Sequence, residues 1–117
     1  MNIIFGEALG AVPDNYTILE LDTFVIPPNS EPVTSYCVVG ELPLIEFTTL
    51  EAYKKVHADL IQAYRDQNWE YCTEALAGLV GHWGGELDTF YENLSERVQR
   101  YQANPPGDDW TGFIVKN

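Results

Sequence analysis

The residue types that most often carry catalysis or bind metals are few in this chain. It has two histidines, His57 and His82, and two cysteines, Cys37 and Cys72. A nucleophile–base pair would need Cys72 beside His57, and a zinc site would need these side chains joined by further ligands. No spacing here matches a known ligand motif, and neither cysteine lies in a Cys-x-x-Cys pair. The sequence therefore favours buried thiols and partly buried or surface histidines, and it predicts no metal and no cofactor.

A glycine-rich segment at residues 81–85 has the composition of a phosphate loop but not its setting. A phosphate loop follows a strand and contains a lysine, whereas this segment follows a predicted helix and has none. Glu86 and Asp88 come next, at a helix N-terminus where the helix dipole favours acids. Stabilisation of the helix therefore explains them without catalysis. Because no nucleophile, base and oxyanion donor converge, the sequence predicts that the protein is not an enzyme and has no catalytic residues.

The strongest compositional signal is the charge. Eighteen acidic residues against six basic ones give a net charge of −12 over 117 residues. Such a surface repels phosphate backbones and anionic lipids, which argues against direct binding of nucleic acid or membranes. It suits a protein partner with a basic surface. The acids are spread along the chain, so a solvated surface explains them equally well.

Three amphipathic helices are predicted over residues 48–102, because apolar side chains recur there at spacings of three and four. The three sets are Tyr53, Val56, Leu60 and Tyr64; Trp69, Cys72, Leu76, Leu79 and Trp83; and Leu87, Phe90, Tyr91, Leu94, Val98 and Tyr101.

The predicted ends of these helices follow from capping and breaking residues. Thr48 and Glu51 fit a capping box at the start of the first helix, which should run to about residue 66. Asn68 is a predicted cap for the second, which should end near Trp83, before two glycines break the pattern. The third should run from Glu86 to the prolines that follow residue 104.

Strand patterns flank the helices. Residues 17–26 have one apolar face and one mixed face, and residues 33–39 are a second β-rich run. The proline-rich segment 27–32 must turn the chain between them, so the two runs predict a hairpin. Residues 110–115 are again β-like. The predicted fold is therefore α+β, with a three-helix bundle (a helix hairpin plus one helix) packed with a small antiparallel sheet. We expect a single domain over residues 1–117, with strands and hairpin in 1–47, helices in 48–102 and a docked tail in 103–117.

The C-terminal tail carries the candidate partner-binding residues, which are Trp110, Phe113, Asp108 and Asp109. Tryptophan is enriched among residues that dominate binding energy, so a free tail with Trp110 as its anchor is one interpretation. The other is that the tail folds back and packs its rings on the domain, because a free tail would expose a large apolar surface. We expect the second arrangement, and the free tail is the competing interpretation.

Three segments together resemble the C-terminal extension of bacterial class III adenylate and guanylate cyclases. These are LELD at residues 19–22 with EPVTSY at 31–36, AYRDQNW at 63–69, and NPPGDDWTGF at 104–113, followed by Lys116. The match begins at residue 19. The metal-binding aspartate pair and the base- and transition-state-contacting residues of those cyclases have no counterparts here. The resemblance therefore implies a shared helical accessory fold without cyclase activity.

Two shorter segments, IIFGEA at residues 3–8 and LELDTF at 19–24, resemble small acidic uncharacterised proteins of marine cyanophages. That resemblance implies no particular activity, although it suggests a phage accessory or structural protein.

These observations favour a non-catalytic protein–protein interaction module, with a homo-oligomer also compatible. The alternative function is an acidic DNA mimic that inhibits a nucleic-acid-binding protein of a host. No signal-peptide pattern opens the sequence and no apolar run approaches the length of a membrane span, so the expected location is the cytoplasm, or the host cytoplasm for a viral protein.

Overall fold

The computed structural model describes residues 2–13, 16–28, 31–40, 47–83 and 85–115. These residues form two compact units, which we call the sheet unit, with the described residues before 41 and after 110, and the helical unit, with those from 47 to 110. The fold is α+β, as predicted. The segment 103–117, which the sequence suggests is one docked tail, is divided between the two units after Trp110. The single domain expected over residues 1–117 stays a prediction.

The sheet unit contains four strands in the order β1-β3-β2-β4. The strands are β1 (Asn2–Phe5), β2 (Thr17–Val25), β3 (Val33–Val39) and β4 (Ile114–Val115), and a 3-10 helix at Gly6–Ala11 follows β1. Strands β1 and β2 both pair with β3 in the antiparallel sense, so the predicted hairpin is confirmed.

The last strand departs from the prediction. Strand β4 contains two residues rather than the six expected over 110–115, and it runs parallel to β2. The sheet is therefore antiparallel only in its first three strands. The β-prone run is interrupted by Gly112, which has a φ of 81° that side-chain-bearing residues avoid.

Alternation along β2 is as the sequence indicates. Leu19, Leu21 and Thr23 are buried, while the residues between them are half-exposed. A bulge ahead of Thr23 shifts the register with β3, and Ser35 supports the strand pair there. The Ser35 hydroxyl accepts a hydrogen bond from the Asp22 amide at 3.3 Å and donates to the Asp22 carbonyl at 3.1 Å.

The helical unit contains α1 (Phe47–Arg65), α2 (Trp69–Leu79) and α3 (Asp88–Ala103), which confirms the three predicted helices. The apolar stripes form its core, in which Leu60, Leu79 and Leu87 are fully buried. No helix in the described ranges has the length and apolar character needed to cross a bilayer.

Two helix starts test the predicted caps. The Asn68 side chain accepts a hydrogen bond from the Tyr71 amide at 3.3 Å, so the cap of α2 is confirmed. Helix α1 begins at Phe47, which places Thr48 inside its first turn instead of before it. The capping bond predicted for Thr48 depends on a side chain outside the described residues.

The predicted end of α2 is wrong by one turn. The helix ends at Leu79, and Val80 has an extended ψ of 129°. Gly81 follows with a φ of 87°, so the break comes before the two predicted glycines. Trp83 is nevertheless 1 % exposed, because it enters the core from the turn rather than from the helix. Helix α3 begins at Asp88, two residues later than expected.

Candidate functional site

A buried hydrogen-bond network lies inside the helical unit and involves one of the two histidines. The Trp83 indole nitrogen donates to the Tyr91 hydroxyl oxygen at 2.9 Å, and that hydroxyl lies 2.8 Å from Nδ1 of His57. Indole only donates, whereas the Tyr91 hydroxyl accepts from it and can also donate to Nδ1 of a neutral imidazole. All three residues are at most 2 % exposed. The network therefore joins α1 to α3 and is closed to a substrate.

The cysteines have the character of structural thiols. Both are thiols and fully buried, and the Cys72 Sγ faces the Leu60 carbonyl oxygen at 4.0 Å. Burial raises the pKa of the Cys72 thiol to about 11, which keeps it protonated and weakly nucleophilic at neutral pH. Across the described ranges, no group of three or more histidine, cysteine or acidic side chains is arranged to hold a metal ion.

The tail candidate Trp110 belongs to an aromatic cluster in the helical unit. Its ring centroid lies 5.0 Å from that of Tyr64, 5.5 Å from Trp69 and 5.3 Å from Tyr101. The Arg97 guanidinium lies 5.6 Å from the Tyr64 ring centroid. These separations are those of rings in direct contact, so no cation or ligand fits among them. The expectation that Trp110 folds back onto the helices is confirmed.

The loop before Trp110 is held by one further bond. Gln67, in a left-handed conformation with a φ of 60°, donates from its side-chain nitrogen to the Gly107 carbonyl at 2.6 Å. This hydrogen bond connects the turn after α1 to the turn after α3. The segments 63–69 and 104–110, singled out separately in the sequence, meet at this place.

The other three tail candidates are divided between the two units. Asp108 and Asp109 are exposed and belong to that unit, whereas the half-buried Phe113 belongs to the sheet unit. Trp110 itself is half-buried. A partner-binding role for these four residues stays a prediction.

A groove of about 460 Å³ lies between α2 and α3, and we call it the α2–α3 groove. Leu76, Val80 and Tyr91 are among its lining residues. Leu76 and Tyr91 are buried, whereas Val80 is 49 % exposed. The complete lining is Thr73, Leu76, Ala77, Val80, Tyr91, Glu92, Ser95 and Glu96.

The charges that line the groove are all negative. Glu92 and Glu96 lie one turn apart on α3, are exposed, and form no ion pair with a described residue. Glu96 and Arg100 have the i, i+4 order of a stabilising pair, yet their side chains are not within ion-pair distance. Like charges at i, i+4 cost a helix roughly 0.2–0.5 kcal/mol, so helix stability does not explain this pair of glutamates.

The sequence contained a signal for the groove that pattern reading missed. Leu76 was assigned to the core stripe and Val80 was left out of it, but the spacing of four residues puts both on one side of the chain. Glu92 and Glu96 lie four residues apart in the next predicted helix. The available signal was the combination of Val80, an apolar residue outside the stripe, with these two glutamates on the next helix.

A second hollow lies in the sheet unit. Its lining consists of Phe5, Phe24, Ile26 and Val33, and its volume is about 190 Å³. Phe5 and Ile26 are about half exposed, at 46 % and 53 %. The hollow is entirely apolar, so it offers no polar group to orient a ligand.

No family model, no curated protein and no solved structure matches this chain. The resemblances to the cyclase extension and to cyanophage proteins stay predictions.

Proposed function

We propose that this protein is a non-catalytic protein-binding module whose α2–α3 groove receives basic side chains of a partner protein. One observation carries the proposal: the groove joins an exposed apolar surface at Val80 to two carboxylates, Glu92 and Glu96, that have no basic partner among the described residues. Apolar surface bordered by charge is the usual composition of a protein interface, with its apolar centre and polar rim.

The two parts of the groove would contribute differently to binding. Covering the half-exposed Val80 removes apolar surface from water, at about 25 cal/mol per Å². The carboxylates contribute less affinity, because exposed ion pairs give about 0.2–1 kcal/mol each. Their larger effect is on selectivity and on the rate of encounter, which the net charge of −12 raises for any basic partner.

The test is affinity capture from cells of the native source, followed by measurement with the purified partner. Wild-type protein is compared with the double variant Glu92→Gln/Glu96→Gln and with a matched control, Glu7→Gln/Glu70→Gln, whose side chains do not line the groove. Both pairs are exposed and both variants lose the same charge. We expect a basic partner whose affinity falls with salt and falls further in Glu92→Gln/Glu96→Gln than in the control. Equal losses in both variants, or a partner that binds independently of salt, would contradict the proposal.

An acidic DNA mimic is the second candidate function, supported by the net charge alone. Exposed acids occur in both units, for example Glu7 and Glu31 in the sheet unit and Glu70 and Glu74 in the helical unit. Mimicry depends on many carboxylates together, so Val80→Ser would leave it intact while weakening a groove complex. Competition between this protein and DNA for the captured partner, unchanged by Val80→Ser, would favour mimicry.

A further inference from the structure

We infer that the occupant of the α2–α3 groove is an amphipathic α-helix with basic residues beside its apolar stripe. This inference rests on the proposed function and specifies the partner. The charges of the groove suit such a helix: among the described residues that line it, both charged ones are glutamates and none is a lysine or an arginine. An acidic or phosphate-bearing segment would meet repulsion there.

The dimensions of the groove suit about two turns of helix. Along α2 and its C-cap the lining runs from Thr73 to Val80, which is ~10 Å at about the helical rise of 1.5 Å per residue. On α3 the two glutamates are four residues apart, or ~6 Å along the axis. Side chains at i and i+4 of an occupant have the same spacing. Two basic residues one turn apart can therefore each meet one glutamate.

Backbone hydrogen bonding favours a helix over an extended segment. A helix satisfies its own N–H and C=O groups, so it can lie on apolar side chains at little cost. An extended segment needs a sheet edge to pair with, and the groove is built from two helices and the Val80 turn. Here an extended occupant would leave backbone groups against Leu76 and Val80 without partners. Laying the apolar face of a helix into such a groove is a common mode of recognition.

The experiment uses defined peptides with the full-length protein. The probe is a fluorescently labelled, capped peptide of leucine and lysine, about four turns long, with leucines at i, i+3, i+4 and i+7. A second peptide has the same composition in an order that gives no helical stripe. Fluorescence anisotropy gives the affinities, and amide chemical-shift changes in the labelled protein locate the site.

We expect the striped peptide to shift the resonances of α2 and α3 around the groove and to bind at least tenfold more tightly than the rearranged one. Glu92→Gln/Glu96→Gln should weaken it about tenfold, on the basis of two exposed ion pairs. Val80→Ser should weaken it as well, and Val80 is exposed enough for this change to leave the fold intact. The control Glu7→Gln/Glu70→Gln should leave the affinity unchanged, because neither side chain lines the groove.

The possible failures are distinguishable. If both peptides bind equally and only Glu92→Gln/Glu96→Gln weakens their binding, the proposal of a basic partner is supported and the inferred helical occupant is wrong. If the striped peptide binds but shifts only resonances outside the groove, the inferred site is wrong. If neither peptide binds at about 1 mM, which corresponds to a binding free energy of only about −4 kcal/mol, both the inference and the proposed function are wrong.

Discussion

Replacing Tyr91 by phenylalanine isolates the contribution of the buried network. The change removes one hydroxyl and keeps the ring, which is 1 % exposed and packed among α1, α3 and the turn that holds Trp83. The Trp83 indole then loses its acceptor, and His57 loses the group at its Nδ1. Both are too deeply buried for bulk water to take over these bonds.

The expected magnitude follows from the cost of unpaired buried groups. Each donor or acceptor left without a partner in the interior costs about 1–3 kcal/mol. The indole N–H has no other hydrogen bond in the described structure, so it contributes this cost in full. With part of the same penalty at His57, we expect Tyr91→Phe to lower the free energy of unfolding by about 2–4 kcal/mol.

Urea denaturation followed by circular dichroism measures this loss, and Tyr71→Phe is the matched control. Tyr71 is half-buried on α2, and its hydroxyl makes no hydrogen bond in the described structure, so the control should cost under about 0.5 kcal/mol. The Trp83 indole proton gives a local reading, because its hydrogen exchange should be slow in the wild type and faster in Tyr91→Phe.

Two results would refute the reasoning. One is a loss of stability in Tyr91→Phe no greater than that in Tyr71→Phe. The other is an indole proton of Trp83 that stays equally protected in the variant, which would mean that the hydroxyl is not its acceptor. Combining Tyr91→Phe with Trp83→Phe completes a double-mutant cycle. The double variant should lose less free energy of unfolding than the sum of the losses in the two single variants.

Three further predictions concern stability and reactivity. Trp110→Ala should cost about 2–3 kcal/mol in urea unfolding because it removes a large ring from the aromatic cluster, while the exposed Asp109→Ala should cost under about 0.5 kcal/mol. Gly78→Ala should raise the melting temperature, because the residue lies inside α2 and an added Cβ would meet open space there. Gly81→Ala should lower it through about 1–2 kcal/mol of backbone strain, because Gly81 is equally uncrowded but has a φ of 87°. Cys72 should react with thiol reagents at neutral pH only on unfolding. Because the unfolded thiol ionises near its ordinary pKa of 9.0 and the folded one near 11, stability should fall as pH rises from about 9 to 11 in a pH series of melts.

The elements that sequence predicts well here are those set by local chemistry. The spacing of apolar residues identified α1, α2 and α3. The Asn68 cap could be predicted because its side-chain oxygen accepts a hydrogen bond from a backbone amide only three residues further along the chain. The hairpin of β2 and β3 could be predicted for the same reason, since an apolar strand face and a proline-rich turn are both local signals.

Features that depend on tertiary context were not readable. Trp83 fits the α2 stripe, but the helix ends before Gly81, so the indole enters the core from a turn. The partnership of His57 with Tyr91 spans 34 residues, and nothing in either local pattern indicates it. Strand β4 pairs in parallel with β2 over a separation that no turn signal marks.

Tyr91 links the interior of the helical unit to the candidate groove. Tyr91 is among the residues that line the groove although it is only 1 % exposed, and its hydroxyl is held by Trp83 and His57. A side chain fixed by two buried hydrogen bonds keeps the base of the groove in one arrangement, and under the proposed function such preorganisation would increase affinity without adding contacts. Val80 is placed just after the end of α2, where the Gly81 turn sets its direction. Under the proposed function, the buried network of His57, Trp83 and Tyr91 would therefore support the surface on which Glu92 and Glu96 select a partner.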